Sequence, residues 1–228
     1  MRIAFISDVH SNLHALKMVL NHIESLDIDK ILCCGDIVGY NAFPDECISL
    51  LKERQVECVL GNHDWAVLTG DASGFNPYGV AGVEYSIRKI SRENRKFLEN
   101  LKREIRFFEG TSFYLTHGSP RDNIFEYVFP GVPDFVLEEF ADMARSDVVV
   151  LGHTHVPMER RVGDVLFLNP GSVGQPRDGD PRCCFMVFDT DEFSYKWFRL
   201  VYDIDGAAGA VLKAGLPSFL AERLYHGY

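Results

Sequence analysis

The sequence predicts an α/β protein in which two stacked, mixed β-sheets carry helices on their outer faces. The first third alternates apolar, β-rich runs with segments of helical periodicity, which favours a mostly parallel sheet. The last third is β-rich and contains two hairpin patterns. The chain has 228 residues, of which 46% are hydrophobic. That is enough to form one core, and it predicts a single domain over residues 1–228.

The elements of the first third follow from hydrophobic spacing and from one proline. Leu13, Leu16 and Leu20 recur at helical intervals, so they predict one face of a helix. Pro44 is suited to the first turn of the next helix. These patterns predict strands at residues 2–6, 30–34 and 56–60, and helices at residues 12–25 and 44–54.

The remaining elements are bounded by capping and turn residues. Ser91 is suited to the start of a helix, and Gly110 and Gly163 lie where two hairpins turn. The predicted helices are residues 76–88, 91–101, 132–145, 206–214 and 217–224. The predicted strands are residues 105–108, 112–116, 148–151, 156–162, 165–168, 183–189 and 193–202.

The charge of the chain excludes one class of function. The formal net charge is −10 and the sequence pI is about 5.2. Proteins that bind nucleic acid over a broad surface carry a basic field, so general nucleic-acid binding is not expected. A small phosphate substrate stays compatible with this charge, because bound metal ions invert the potential inside a cleft.

The apolar segments and the cysteines indicate where the protein resides. The N-terminal apolar run ends at Ser7, too early for a signal peptide, and no run reaches the roughly 18 residues of a membrane span. None of the six cysteines has C-x-x-C spacing, so we expect buried, reduced thiols. These features predict a cytoplasmic protein without membrane contact.

Short polar motifs follow five of the predicted strands. In an open α/β sheet, ligands bind at the carboxyl ends of the strands, so the five loops would deliver their side chains to one edge. A single Asp or His after a strand is ordinarily a turn former or a helix cap. Turns and helix caps do not explain five such motifs after five predicted strands. The motifs are Ser7-Asp8-Val9-His10, Gly35-Asp36, Gly61-Asn62-His63-Asp64, His117-Gly118 and Gly152-His153-Thr154-His155.

The side chains in these motifs predict a metal centre. Bare Asp8 and Asp36 would repel each other at one sheet edge, and cations would remove that penalty. Imidazole, carboxylate and amide donors without thiolate suit Mn, Fe, Co, Ni or Zn, among which we favour Mn. The candidate donors exceed the need of one ion and fit two ions that share a carboxylate. Three further histidines, His14, His22 and His226, are expected to be ordinary helix-surface residues.

The order of the motifs resembles the calcineurin-like metallophosphoesterase superfamily. The sequence Asn169-Pro170-Gly171-Ser172-Val173-Gly174-Gln175-Pro176-Arg177 is similar to the small bacterial and archaeal phosphodiesterase branch of that superfamily. The resemblance implies a four-layer α/β/β/α sandwich. It implies one ion on Asp8, His10, Asp36 and His155 and a second ion on Asp36, Asn62, His117 and His153, with Asp36 bridging and His63 as the catalytic acid.

The expected reaction is direct hydrolysis of a phosphate ester by a hydroxide held between two ions. His63 would protonate the leaving group. Three further residues stay open between two roles. Asp64 either supports His63 or caps a helix, and Asn12 either touches substrate or caps the first helix. Arg177 either clamps a phosphate or is a loop arginine that is solvated or paired with Asp178 or Asp180.

Several activities share such a centre, because fold and metals do not determine the substrate. The leading hypothesis is a phosphodiesterase acting on a small phosphate ester. A phosphomonoesterase, a protein phosphatase and a dinucleoside polyphosphate hydrolase are the alternatives. A metal-binding scaffold without catalysis is disfavoured, because His63 and every ligand position are present. The sequence leaves open whether the protein is a homo-oligomer.

Overall fold

A computed structural model describes residues 1–228. The first half of the chain alternates strands with helices and then adds three consecutive helices. Its elements are β1 (Arg2–Ile6), α1 (Leu13–Glu24), β2 (Lys30–Cys33), α2 (Pro44–Glu53), β3 (Glu57–Cys58), α3 (Asn62–Thr69), α4 (Pro77–Lys89), α5 (Arg92–Glu99), β4 (Glu104–Phe108) and β5 (Ser112–Thr116).

The second half is dominated by hairpins and ends in short helices. Its elements are α6 (Asp134–Ala144), β6 (Val148–Val150), β7 (Met158–Val162), β8 (Val165–Asn169), β9 (Cys183–Asp189), β10 (Ser194–Leu200), α7 (Ile204–Lys213) and α8 (Ser218–Glu222). A single 3₁₀ turn, Arg223–Tyr225, follows α8.

The strands form two five-stranded mixed sheets. In the first, the order is β10-β9-β1-β2-β3, with β1, β2 and β3 parallel and β9 and β10 antiparallel to their neighbours. In the second, the order is β4-β5-β6-β8-β7, with β5, β6 and β8 parallel. Each sheet therefore has a parallel centre whose strands end at one edge, where loops can converge.

Three layers of buried apolar side chains hold four layers of structure together. One apolar cluster, which includes Phe5, Phe113 and Phe188, lies between the two sheets. A larger cluster joins the first sheet to the helices, with Leu16 of α1 and Ile48 of α2 among its members. A third cluster packs α6 on the second sheet. The α/β/β/α sandwich implied by the motif resemblance is thus confirmed.

Most predicted elements are present, with ends that shift for local reasons. Asn12 is the N-cap of α1 and not its first residue. Helix α6 begins at Asp134, because Pro133 occupies its N-cap position. The predicted strand at 56–60 is wrong in length, because only two of its residues pair with β2. Helix α3 was not predicted, since its residues were interpreted only as a polar motif.

The six cysteines are all buried and unpaired, as predicted from their spacing. Burial raises the pKa of the Cys34 and Cys47 thiols well above the usual range, since the thiolate would lose its hydration. No helix combines the length and apolar character that a membrane span requires.

Candidate metal centre

The predicted ligand side chains converge at the carboxyl edge of the two sheets. They form two groups that share Asp36, and the nitrogen and carboxylate oxygen atoms in each group lie within 4.8 Å of one another. We call Asp8, His10, Asp36 and His155 the inner ligand group. Asp36, His117 and His153 form the other cluster, and with Asn62, whose Oδ1 is 3.0 Å from His117 Nε2, we call it the outer ligand group.

The loops that carry these side chains adopt an unusual backbone conformation. Asp8, His10, Asp36, His153 and His155 all have positive φ angles between 46° and 67°. Non-glycine residues rarely occupy this left-handed region, at a cost of about 1–3 kcal/mol each, and they cluster at functional sites. Of the ten non-glycine residues with positive φ, these five belong to the ligand groups. The sheet edge is therefore arranged for a purpose other than stability.

In the inner group, two imidazoles point lone pairs at each other. His10 Nδ1 lies 3.0 Å from the Val38 carbonyl oxygen, and His155 Nδ1 lies 2.5 Å from that of Gln175. A carbonyl only accepts, so both protons are assigned to Nδ1. The two Nε2 atoms are nevertheless only 3.0 Å apart. Two neutral acceptors gain nothing from this contact, whereas a cation between them would bind both.

The outer group repeats this arrangement with one difference. His117 Nδ1 lies 2.8 Å from the Cys34 carbonyl oxygen, so its Nε2 faces the site. His153 is reversed, because its Nε2 lies 3.2 Å from the Phe125 carbonyl oxygen and its Nδ1 faces inward. The two inward nitrogens are 3.1 Å apart. Since Asn62 also presents an oxygen there, three atoms that can ligate a metal ion converge in the outer group, namely His117 Nε2, His153 Nδ1 and Asn62 Oδ1.

Asp36 lies between the two groups. Its Oδ2 is 3.5 Å from His10 Nε2 and 3.4 Å from His117 Nε2. Its Oδ1 accepts a hydrogen bond from the His63 amide at 2.8 Å, which fixes the carboxylate. Gly61 must be glycine here, because a Cβ atom at this position would lie 2.1 Å from Asp36 Oδ1. This position suits a carboxylate that bridges two ions.

The pKa values of the ligand side chains reflect how many titratable groups are buried together. Burial, and then the Asp36 charge, raise the pKa of Asp8 to about 7, and Asp8 Oδ1 accepts no hydrogen bond. Burial lowers the pKa values of His10 and His155 well below the usual range. Burial opposes charge on His117 as well, yet Asp36 raises the pKa of His117 to about 9. Divalent cations would offset the buried negative charge of the two aspartates and bind the neutral imidazoles, so the residues fit a metal centre.

His63 stands beside the ligand groups without joining them. Its ring contacts those of His10, Tyr40 and Phe75 at centroid distances of 4.7, 4.5 and 4.6 Å. Its Nδ1 is buried without a hydrogen-bond partner. A Cβ on Gly39 would lie 2.4 Å from that Nδ1, so only glycine leaves room for the ring. Burial lowers the pKa of His63 to about 4, although Asp36 opposes this shift.

A cleft of about 430 Å³ opens beside His63 and the outer group. One side is aromatic, with Trp65, Phe125 and Tyr127, and the Tyr127 ring stacks on His153 at a centroid distance of 3.6 Å. Asp71, Ser73, Gly74, Phe75 and Asn76 of the loop before α4 also line the cleft. Sequence reasoning missed this wall. The only hint was a run of aromatic residues at 125–129, outside any predicted element.

Two of the three ambiguous residues have structural roles. Asn12 is buried and accepts a hydrogen bond from the Ala15 amide, so it caps α1 and does not face the cleft. Asp64 accepts hydrogen bonds from the amides of Ile37, Val38 and Gly61, which joins the start of α3 to the Asp36 loop. No hydrogen bond joins Asp64 to the His63 ring.

Arg177 pairs with neither of the two aspartates that the sequence offers as partners. Asp178 pairs with Arg199 and Asp180 pairs with Arg182, so neither aspartate neutralises Arg177. Arg177 Nη2 instead lies 3.3 Å from the Tyr40 hydroxyl oxygen. The guanidinium is therefore turned toward the ligand groups.

Known proteins share this fold and much of this sequence. Residues 1–192 match the family described as the calcineurin-like phosphoesterase superfamily domain. An uncharacterized protein of Methanocaldococcus jannaschii is 38% identical over 243 residues, which cover 99% of this chain and 98% of that protein. Phosphodiesterase YfcE of Escherichia coli is 24% identical over 198 residues, which cover 85% of this chain and 90% of that protein.

A solved structure supports the same assignment. The crystal structure of a metallophosphoesterase from Sphaerobacter thermophilus superposes with a TM-score of 0.86 at 33% identity and covers 100% of this chain and 99% of that one. The chain thus belongs to the calcineurin-like phosphoesterase superfamily and is a metal-dependent phosphoester hydrolase.

Proposed function

We propose that the protein is a phosphodiesterase that uses two divalent transition-metal ions, with manganese favoured, to hydrolyse a small phosphate diester. The observation that carries this proposal is the convergence of potential metal ligands from two groups that share one carboxylate, Asp36. The inner group would hold one ion through Asp8, His10 and His155. The outer group would hold the second through Asn62, His117 and His153. Such ions, when bound, lower the pKa of a water held between them and neutralise phosphoryl charge.

His63 is proposed to supply the proton for the leaving group. Its ring lies beside His10 yet ligates nothing, and it lines the cleft where an ester would enter. In the ion-free chain its imidazole is neutral at pH 7, because burial lowers its pKa to about 4. A bound phosphate places negative charge next to the ring, which favours the protonated form. His63 would then carry its proton only with substrate present.

The shape of the cleft favours a small diester over a phosphorylated protein. Its volume is about 430 Å³, and Trp65, Phe125 and Tyr127 form an aromatic wall beside the outer ligand group. Aromatic side chains stack on planar groups and bury apolar surface, so the wall suits an organic substituent on the phosphate. The name phosphodiesterase, borne by the similar Escherichia coli protein, agrees with this choice. Contact between the protein and membranes or nucleic acid is not part of the proposal, and its oligomeric state is left open.

The test combines metal content with substrate choice. The purified protein is stripped with a chelator, reconstituted with Mn²⁺ and analysed for metal. It is then assayed with bis-p-nitrophenyl phosphate and p-nitrophenyl phosphate. We expect about two Mn per chain and a higher kcat/KM for the diester. Fewer than one ion per chain under all reconstitution conditions would exclude the two-ion centre, and a faster monoester reaction would favour the phosphomonoesterase alternative.

A further inference from the structure

The cleft beside the ligand groups is lined by aromatic side chains and by no lysine or arginine. Apart from its histidines, its aromatic residues are Tyr40, Trp65, Phe75, Phe125 and Tyr127. Its only carboxylate outside the ligand groups is that of Asp71. A second anionic group of a substrate would meet no basic side chain there and would be repelled by this carboxylate. The cleft therefore favours an uncharged group with apolar faces.

Trp65 has the largest ring in the cleft and no stacked partner. Tyr127, by comparison, lies nearly parallel to the rings of His153 and Phe129, at centroid distances of 3.6 and 5.5 Å. Trp65 contacts a single ring, that of Phe125, at a centroid distance of 5.1 Å and an angle of 85°. Such an edge-to-face contact orients the indole without placing a parallel ring on it. Trp65 is therefore the cleft residue best suited to stack on a planar ligand.

The place of Trp65 in α3 puts it next to the proposed reaction centre. Trp65 follows Asn62 by three residues and His63 by two, and all three line the cleft. Residues three apart lie on the same face of a helix, about one turn from each other. The indole is partly exposed, and it packs on the apolar cluster that joins the helices to the first sheet. A ring stacked on Trp65 would thus belong to the same small molecule as the phosphate held by the outer ligand group.

The cleft also contains polar groups that can bond the edge of a planar ligand. Trp197 donates its Nε1 to the Asn169 carbonyl oxygen at 2.9 Å, whereas the Nε1 of Trp65 has no acceptor within the chain. Asn76 caps α4 through its Oδ1, which leaves its amide nitrogen free to donate. The Asp71 carboxylate is an acceptor. A heteroaromatic base carries both donors and acceptors on its edge, so it uses this set better than a plain aryl ring.

We propose that Trp65 stacks on a heteroaromatic base of the substrate, which makes the cleft a base subsite and the substrate a nucleotide ester. The inference rests on the proposed diesterase function and narrows its substrate from any small diester to one that carries an uncharged, planar base. Stacking of this kind accepts every base, because each has a π-face. The subsite should therefore recognise the presence of a base more strongly than its identity.

The first test compares two phosphate ligands that differ only by the base. These are adenosine 5′-monophosphate and ribose 5-phosphate, each titrated by calorimetry into the Mn²⁺-loaded protein. Both are monoesters of the kind that diester cleavage releases, so binding is measured without turnover. We expect the wild type to bind adenosine 5′-monophosphate more tightly by about 5- to 150-fold, the range for stacking of one base on an aromatic side chain. Equal affinities would overturn the proposal.

Variants of Trp65 then assign the preference to this ring. Trp65→Leu should remove most of the preference, whereas Trp65→Phe keeps an aromatic face and should retain part of it. Phe108→Leu replaces an exposed ring outside the cleft and is the matched control, which should bind both ligands as the wild type does. Thermal melting and metal analysis identify any variant that has lost its fold or its ions. A stable, metal-loaded Trp65→Leu protein with the wild-type preference would exclude the subsite.

Tryptophan fluorescence tests the stacking in the unmodified protein, which keeps the proposal testable if Trp65→Leu does not fold. The chain has two tryptophans, and Trp197 packs on the cluster between the sheets, outside the cleft. Because a stacked base quenches indole emission, adenosine 5′-monophosphate should lower the fluorescence and ribose 5-phosphate should not. Trp65→Phe should abolish this quenching. Wild-type emission that is unchanged at saturating nucleotide, or quenching that persists in Trp65→Phe, contradicts the proposal.

Two further comparisons separate the base subsite from its alternatives. Phenyl phosphate and methyl phosphate differ by a plain aryl ring. A preference for phenyl phosphate without one for adenosine 5′-monophosphate would show that the cleft takes an aryl ester and not a base. Protein that hydrolyses bis-p-nitrophenyl phosphate yet binds adenosine 5′-monophosphate and ribose 5-phosphate equally would lose the subsite and keep the proposed function. Tighter nucleotide binding that depends on Trp65, in protein that hydrolyses no diester, would support the subsite and remove the proposed function.

Discussion

The two ligand groups share Asp36 and each contain two histidines, but they differ in their access to the surface. Every member of the inner group is at most 1% exposed, and the rings of Tyr40 and His155 enclose His10. In the outer group, Asn62 and His153 line the cleft. His153 also presents Nδ1 to the site where the other histidines present Nε2, because its own Nε2 is turned to the Phe125 carbonyl oxygen.

The difference in exposure indicates that the two ligand groups have different roles in one metal centre. All four residues of the inner group have left-handed backbone, whereas in the outer group only Asp36 and His153 do. The inner group is thus sealed and rigidly held, which suits an ion that stays in place. The outer group opens to the cleft, which suits an ion that meets the ester. The shared carboxylate of Asp36 connects the two.

The largest effect is expected from Asp36→Asn, which changes the one residue that both ligand groups share. In Asp36→Asn, both groups lose their only shared charge, so we expect less than half of the wild-type metal content and a loss of kcat of about 10³-fold or more. Elemental analysis and bis-p-nitrophenyl phosphate turnover measure these two quantities. Asp142→Asn, an exposed carboxylate on α6, is the matched control and should change neither. An active, fully loaded Asp36→Asn protein would refute the bridging role.

The next effect separates chemistry from metal binding. His63→Ala should retain wild-type metal content, because His63 ligates in neither group, and should lower kcat by about 10²–10⁴-fold. The loss should be smallest for esters with good leaving groups, which need little protonation. Turnover of a series of phenyl diesters of rising phenol pKa tests this slope. Loss of metal from His63→Ala would show that this residue had been assigned wrongly.

A third pair of variants tests the contrast itself. We expect His155→Ala to lose the ion that wild-type protein retains longest during dialysis against a chelator. His153→Ala should instead keep that ion and weaken only the second, by more than about 100-fold. Timed dialysis followed by elemental analysis distinguishes the two. If both variants release their ions with the same time course, the inner and outer groups do not differ in the manner described.

The smallest effect concerns the aromatic wall over the outer group. Tyr127→Leu removes the ring stacked on His153, so that imidazole becomes less firmly oriented. We expect about a tenfold weaker affinity of the second ion and a similar rise in KM for an aromatic diester, with kcat little changed. Titration of the activity with Mn²⁺ measures the first effect. Phe135→Leu, an exposed aromatic at the start of α6, is the control, and an equal effect there would contradict the argument.

The fold was largely predictable because periodicity and turn residues are local properties. The parallel run of β1, β2 and β3 follows from alternating strands and helices, and the later hairpins follow from their glycines. What could not be predicted is where pairing stops. Strand β3 has two paired residues, although its apolar run is longer, because Val59 and Leu60 pair instead with the segment at Lys102. That limit depends on contacts between distant segments.

The candidate site was predictable where it consists of motifs. Asp8, Asp36, His117 and His153 each follow an apolar strand, and the fold brings them together as expected. The aromatic wall could not be predicted, because Phe125 and Tyr127 lie outside any predicted element and no local pattern indicates that they line the cleft. Asn12, by contrast, had a local role that its position before α1 already indicated.

The imidazoles are oriented by main-chain oxygens, those of Val38, Gln175, Cys34 and Phe125. A peptide carbonyl is present whatever residue occupies the position. A substitution at Phe125, an exposed residue that lines the cleft, can therefore reshape the surroundings of the centre without abolishing the tautomer of His153. The substrate specificity can therefore change through such a substitution while the orientation of the imidazoles is kept.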